Sequence, residues 1–128
     1  MHETLIIIFC AIGIAITLYI NIAHLLNKKV ICPVNSESCN IVLDSKYSRT
    51  LGVKNELIGL LYYIGILVVL FSNPATNLLL ATKLVSILAS AYSIILIGIQ
   101  TRILNNYCSW CITTAVINVF LSALIITL

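Results

Sequence analysis

Four apolar runs, Leu5 to Leu26, Leu57 to Phe71, Leu78 to Ile99 and Cys111 to Leu128, leave this chain few ways to fold. Lipid satisfies no backbone N–H or C=O, so a segment that enters the bilayer has to satisfy its own, as a helix does. Crossing a hydrocarbon layer about 30 Å thick takes about 20 helical residues. The second run is short by that measure and reaches it as Val53 to Ser72, with Lys54 and Glu56 at the interface. The sequence therefore predicts an all-α integral membrane protein: one domain over residues 1–128, built as a four-transmembrane-helix bundle. Composition agrees, because 61% of residues are hydrophobic and 9% charged, whereas an ordinary soluble domain is about a quarter charged. The bilayer is the expected environment, with no nucleic-acid partner and a monomeric state.

The first run is read as a helix that stays: its start, MHET, lacks the basic flank of a secretory signal, and its apolar stretch exceeds a signal's core. Lys83, inside the third run, can reach the nearer surface along its own aliphatic stem. Gly13, Gly59, Gly65 and Gly98 are expected to admit close helix contacts. Of the three connections, 72–77 (SNPATN) and 100–107 (QTRILNNY) read as short turns, and the segment from Asn27 to about Lys54 is the long one. With four crossings the first and third connections share a membrane face, which brings Cys32 and Cys39 to the same side as Cys108 and Cys111.

The chain has five cysteines. Cys10 lies among Ile, Phe and Ala in the first run, the setting of an inert small hydrophobe. Cys108 and Cys111 stand three apart at the start of the last helix, where unpaired N–H groups and the positive dipole end favour thiolate over thiol. Cys32 and Cys39 bracket PVNSES, a stretch in which a local disulfide is sterically easy. Alone, the Cys-x-x-Cys could equally bind a metal or staple a turn, and a structural staple is the commoner fate of a pair like Cys32 and Cys39. Two pairs on one face permit a relay, since a thiolate of one pair can attack the disulfide of the other and pass two electrons along. Four thiolates could also hold zinc, but the six-residue gap between Cys32 and Cys39 exceeds the usual two to four residues.

The order of these elements resembles the vitamin K epoxide reductase family of membrane disulfide-forming enzymes. The residues that carry the resemblance are Cys32 and Cys39, then Ser45, then NELIGLLYY at 55–63, then CSWCITTAVIN at 108–118. A second group of four-helix, quinone-reducing enzymes carries its Cys-x-x-Cys in the first external loop; here it comes last. The resemblance implies a thiol:quinone oxidoreductase in which a thioredoxin-like donor reduces the loop pair at Cys32 and Cys39 attacks Cys108. Cys111, freed beside a ubiquinone- or menaquinone-type acceptor, then returns the electrons to it. Asn55 corresponds to an amide that bonds the quinone carbonyl in the family, with a helix N-cap as its plain alternative. Ser45 corresponds to a serine near the active cysteines, with a turn hydroxyl as the alternative. Tyr62, Tyr63 and Trp110 are expected either to wall the quinone site or to form an interfacial belt.

Two departures from the family pattern bear on the expectation. Vertebrate members read TTYA after the Cys-x-x-Cys, whereas this chain has Thr113, Thr114, Ala115 and Val116 and so lacks that phenol. Many bacterial members continue into a thioredoxin-like domain, and this chain stops at Leu128, so the donor is expected to be a separate polypeptide. The function classes that compete with the oxidoreductase are a small cysteine-bearing metal transporter of the mercury type and a zinc-stabilised structural subunit. Orientation follows from Lys and Arg: Lys28, Lys29, Lys46, Arg49, Lys54 and Arg102 lie on the cysteine face, and Lys83 alone opposes them. Counting positive charges predicts a multi-pass membrane protein with its cysteine face in the cytosol, against the extracytoplasmic arrangement usual in bacterial members.

Overall fold

The computed structural model describes residues 2–26, 28–31, 40–41, 49–50, 53–73, 75–105 and 108–127. Cys32, Cys39 and Ser45 lie outside the described residues, as does Lys46. Four helices dominate the rest: α1 (His2–Leu25), α2 (Asn55–Phe71), α3 (Thr76–Ile99) and α4 (Ser109–Ile126). α1, α3 with its continuation, and α4 are long and apolar enough to cross a membrane. α2 has 17 residues, about 25 Å at 1.5 Å per residue.

The second helix is shorter than its sequence suggests for a local reason. Val53–Lys54 forms a strand, β2, paired antiparallel with Arg49–Thr50, β1, in the register Arg49 to Lys54 and Thr50 to Val53. Backbone groups engaged in that ladder cannot also extend the helix, so α2 begins at Asn55. The expected turn over 100–107 is also corrected. Gln100–Leu104 continues α3 as a π-helical turn and stops at Asn105, whose φ of 51° is left-handed and whose N–H reaches back to the Gln100 carbonyl. Asparagine tolerates that conformation better than most residues.

α1 is the centre of the packing. It lies against α2 along most of its length and crosses α4, α4 lies against α3, and α2 and α3 touch only slightly. The core runs through Ile6, Cys10, Ile16 and Ile20 of α1, Tyr63 and Ile66 of α2, and Ile117, Leu121 and Ile125 of α4. Cys10 is fully buried in it. Along α3 (Thr76–Ile99) only Ser86 is buried, so most of the leucines and isoleucines of that helix face outward, as a lipid-facing surface requires.

The glycines divide into two kinds. A Cβ on Gly13 would fall 2.6 Å from the Tyr63 ring, so α1 and α2 pack closely there because residue 13 has no side chain. A Cβ on Gly59 would just touch Thr17 at 3.4 Å, and at Gly65 and Gly98 it would meet nothing within 4 Å. The close-contact expectation therefore fails for Gly65 and Gly98. Above Gly13, Thr17 Oγ1 donates to the Gly13 carbonyl at 2.8 Å, returning a hydroxyl to its own helix.

Candidate functional site

α4 begins with Cys108 as its N-cap: the residue is extended, and its Sγ accepts the Cys111 N–H at 3.4 Å. Sulfur is a weak acceptor for a helix's first unpaired donors, so this cap holds the two cysteines one turn apart without a strong bond between them. The Cys108 N–H is satisfied separately by Gln100 Oε1 at 3.1 Å, in a buried bond that ties the π-helical turn to the start of α4. Cys108 is fully buried and Cys111 partly so. Both are free thiols.

Hydrogen bonding from the Cys111 side chain is the largest influence on Cys108 and holds its thiol below the ordinary value of 9.0. Burial opposes it, the backbone N–H groups of Cys111 and Trp110 assist, and the negative charge of Glu56 opposes. The net direction is toward thiolate, the form that attacks disulfides and donates electrons.

Trp110, between the two cysteines, is part of a connection to the long loop. Its indole N–H donates to the Ile31 carbonyl at 2.9 Å, and the Ile31 N–H donates to Tyr19 Oη at 2.9 Å. The Tyr19 and Trp110 rings meet edge to face at 6.2 Å. Next to Ile31, Val30 is buried and clasped by one side chain: its N–H donates to Asn40 Oδ1 at 3.0 Å and its carbonyl accepts from Asn40 Nδ2 at 2.9 Å. Ile31 and Asn40 are the chain neighbours of Cys32 and Cys39. The two ends of the loop pair's segment are thus fixed to each other, and one of them to the residue inside the helix pair. Trp110 is more than a belt aromatic.

Asn55 is the first residue of α2 and the cap position is Lys54, which removes the N-cap alternative for Asn55. Asn55 Oδ1 accepts from Tyr92 Oη at 3.5 Å. Tyr63 belongs to the core rather than to a belt: it is 1% exposed and donates to Asn118 Oδ1 at 2.6 Å. Tyr62, by contrast, has a buried hydroxyl with no hydrogen-bond partner among the described residues. It lies two turns from Asn55 on the same face of α2, since seven residues are close to two helical turns. A buried phenol donor and an amide on one helix face are groups that suit the two carbonyl oxygens of a quinone.

Several residues at this end escaped the sequence reading. Gln100 looked like part of a turn, yet it is 3% exposed and bonds Cys108. Glu56 was expected at the interface and His24 had no assigned role, yet His24 Nδ1 lies 2.9 Å from Glu56 Oε1, and the Glu56 side chain is only 4% exposed. Lys54 Nζ contacts the same ring nitrogen. The signal for Glu56 was visible in principle, as an acidic residue in the first turn of an apolar helix. No group of metal-ligating side chains that could hold an ion occurs among the described residues, which do not include Cys32 or Cys39.

No curated protein matches the sequence. The model of the vitamin K epoxide reductase family matches residues 4–126, nearly the whole chain. Members of that family are membrane oxidoreductases with thiol and quinone chemistry and are linked to disulfide formation. A dithiol at the start of a membrane helix agrees with that assignment, and the chain belongs to the vitamin K epoxide reductase family.

Proposed function

We propose that the protein is a thiol:quinone oxidoreductase that generates disulfides, passing two electrons from a reduced thioredoxin-like protein through Cys32 and Cys39 to Cys108 and Cys111. The observation that carries this reading is the placement of Trp110. The residue between the two helix cysteines bonds Ile31, the neighbour of Cys32, and the Val30 to Asn40 clasp holds the neighbour of Cys39 beside it.

In this reading a donor thiolate attacks the loop disulfide at Cys32 and releases Cys39, and the donor's second thiol then attacks the mixed disulfide, leaving as the donor disulfide and freeing Cys32. Cys39 attacks the helix disulfide at Cys108 and releases Cys111 as a thiolate. Closing the loop pair again resolves the Cys39 to Cys108 bond, leaving the helix pair reduced. The quinone supplies a two-electron acceptor dissolved in the bilayer. Tyr62 and Asn55 would hold its oxygens, and re-forming the Cys108 to Cys111 bond returns the site to its starting state. Four crossings, with α2 spanning by local thinning or snorkelling at its ends, keep the loop and the helix pair on one face. By its Lys and Arg content that face is cytosolic.

The decisive experiment mixes the purified protein anaerobically with a reduced thioredoxin-like substrate and a quinone analogue while quinone absorbance is followed. Stoichiometric quinone loss coupled to substrate disulfide supports the reading; tight binding of a soft metal or of zinc without redox turnover overturns it. Orientation is tested by Lys46→Cys in a background without the native cysteines. Labelling by a membrane-impermeant maleimide only after lysis fits a cytosolic face, and efficient labelling in intact cells reverses it.

A further inference from the structure

Glu56 is a buried carboxylate at the dithiol end of the bundle that the electron route leaves without a part. It sits in the first turn of α2, where the helix dipole favours negative charge. Its backbone carbonyl accepts from Asn21 Nδ2 at 3.2 Å, which fixes that turn against α1. The titratable groups around it among the described residues come from three elements: His24 of α1, in contact with it; Lys54 of β2, which contacts His24; and Cys108 and Cys111 at the start of α4, at the same end of the bundle, where Trp110 between them meets Tyr19 of α1. On α3, Tyr92 bonds the neighbouring Asn55.

The contact between these groups has an unusual property. His24 Nδ1 faces both Glu56 Oε1 and Lys54 Nζ, and one ring nitrogen either carries a proton or offers a lone pair. When Nδ1 accepts from the Lys54 ammonium, Glu56 Oε1, which is buried, has no donor among the described residues. When Nδ1 carries the proton, Glu56 gains a donor and Lys54 loses its acceptor. The cluster therefore has two proton placements and no single one that satisfies every member, unlike a structural ion pair.

We propose that Glu56 is the proton acceptor for the Cys108 and Cys111 dithiol, and that His24 connects it to the aqueous face. The proposal rests on the thiol:quinone reading above. Oxidising the dithiol breaks two S–H bonds, forms one S–S bond, and releases two electrons and two protons; the quinone gains two electrons and two protons and becomes the quinol. Glu56, as carboxylate, takes a thiol proton as the sulfur ionises. His24, which lies at the end of α1 with its side chain 11% exposed, passes that proton between Glu56 and water, and the carboxylate is ready for the second. Lys54 resets the junction by competing for Nδ1. Proton loss and uptake balance over a turnover, so the cluster acts as a temporary holder and needs no further reactant.

The test compares the pH dependence of quinone reduction by a small dithiol in the native protein, Glu56→Gln, Glu56→Asp and His24→Gln. A positioned general base contributes on the order of 10²-fold or more. Glu56→Gln should lower turnover by about that factor and erase the acid limb of the profile, while Glu56→Asp keeps the limb at a reduced rate. His24→Gln should flatten the profile and allow rescue by added imidazole. Unchanged turnover and profile in Glu56→Gln overturn the proposal while leaving the quinone reading intact, and so does a loss of rate with the profile preserved, which is what a purely structural ion pair gives. If Glu56→Gln does not fold, the decision passes to His24→Gln: a native profile there, with no imidazole rescue, overturns the proposal. Absence of quinone reduction by the native protein fails the functional reading itself.

Discussion

Two partly buried polar clusters join the helices, and they are built on opposite terms. Midway along the bundle, Asn118 of α4 accepts from Tyr63 Oη at 2.6 Å, donates through Nδ2 to Ser93 Oγ at 2.7 Å, and receives Ser90 Oγ at its carbonyl at 2.9 Å. One side chain joins α2, α3 and α4, and each of these polar groups has a partner. At the dithiol end, Cys108 is held by sulfur bonding at 3.4 Å, and Glu56 and Lys54 share one nitrogen. Polar groups that are all satisfied rigidify a bundle. Groups left half-satisfied in the same low dielectric cost stability, and the proposed transfer of protons and electrons would give them a use.

The comparison breaks most visibly at the cysteines. Cys111→Ser should reduce quinone turnover to background while leaving the fold in place, because the helix disulfide can no longer form; the Cys39 to Cys108 bridge should accumulate in Cys32→Ser instead, where the loop pair cannot close to resolve it. Cys32→Ser should block a large protein donor and spare a small dithiol. Cys10→Ser, in the core and away from both clusters, should change turnover little. Equal losses for every cysteine with large and small reductants alike would falsify the division of labour.

On the structural side the expected effects appear in stability. Asn118→Leu leaves the buried Tyr63 hydroxyl without its acceptor, at a cost of about 1–3 kcal/mol. Turnover per folded molecule should be nearly unchanged. Gly13→Ala pushes a methyl group into the Tyr63 ring and should cost about 1–3 kcal/mol by overpacking. Gly65→Ala, with open space around it, should be neutral or slightly stabilising. Unfolding in mixed micelles measures all three, and an Asn118→Leu protein that is stable but inactive would place chemistry in the middle of the bundle.

The loop connection should give a smaller, selective effect. Trp110→Phe keeps a ring against Tyr19 and removes the donor to the Ile31 carbonyl. Losing one such bond is worth about 0.5–1.5 kcal/mol, or roughly 2- to 10-fold. That loss is expected in turnover with a protein donor, which needs the loop pair in place, and should vanish with a small dithiol that reduces the helix pair directly. An equal loss with both donors would mean that Trp110 acts on the helix pair alone.

Much of this was legible in the sequence for a physical reason: a bilayer forces helices, so apolar run length nearly determines the elements. The limits of that reasoning lie where backbone pairing or side-chain reach decides. Val53 and Lys54 are apolar and long-stemmed enough to join a helix, and only their pairing with Arg49 and Thr50 shows otherwise. Gln100 to Leu104 reads as a polar break, yet the helix continues through it because Gln100 finds Cys108 across the turn. The spacing of Cys108 and Cys111 announced a dithiol. Glu56 and His24 are 32 positions apart in the chain, and no periodicity links them; only the packing of α1 on α2 brings them together.

The smallest expected effect is a pH dependence confined to the reduced protein. Cys108 is held below its ordinary value of 9.0, first by hydrogen bonding from the Cys111 side chain. A thiol whose folded value lies below its unfolded one stabilises the folded state fully above the unfolded value. That contribution shrinks as pH falls from 9.0 toward the lower folded value and is absent below it. Reduced protein should therefore gain stability relative to its oxidised form as pH rises through that window, and the thiolate ultraviolet absorbance should appear earlier than for a free cysteine. Cys111→Ala removes the leading cause and should return the Cys108 titration toward 9.0. Identical slopes for reduced and oxidised protein, or no movement in Cys111→Ala, would show that burial outweighs the hydrogen bonds and that the dithiol end is less polarised than its geometry implies.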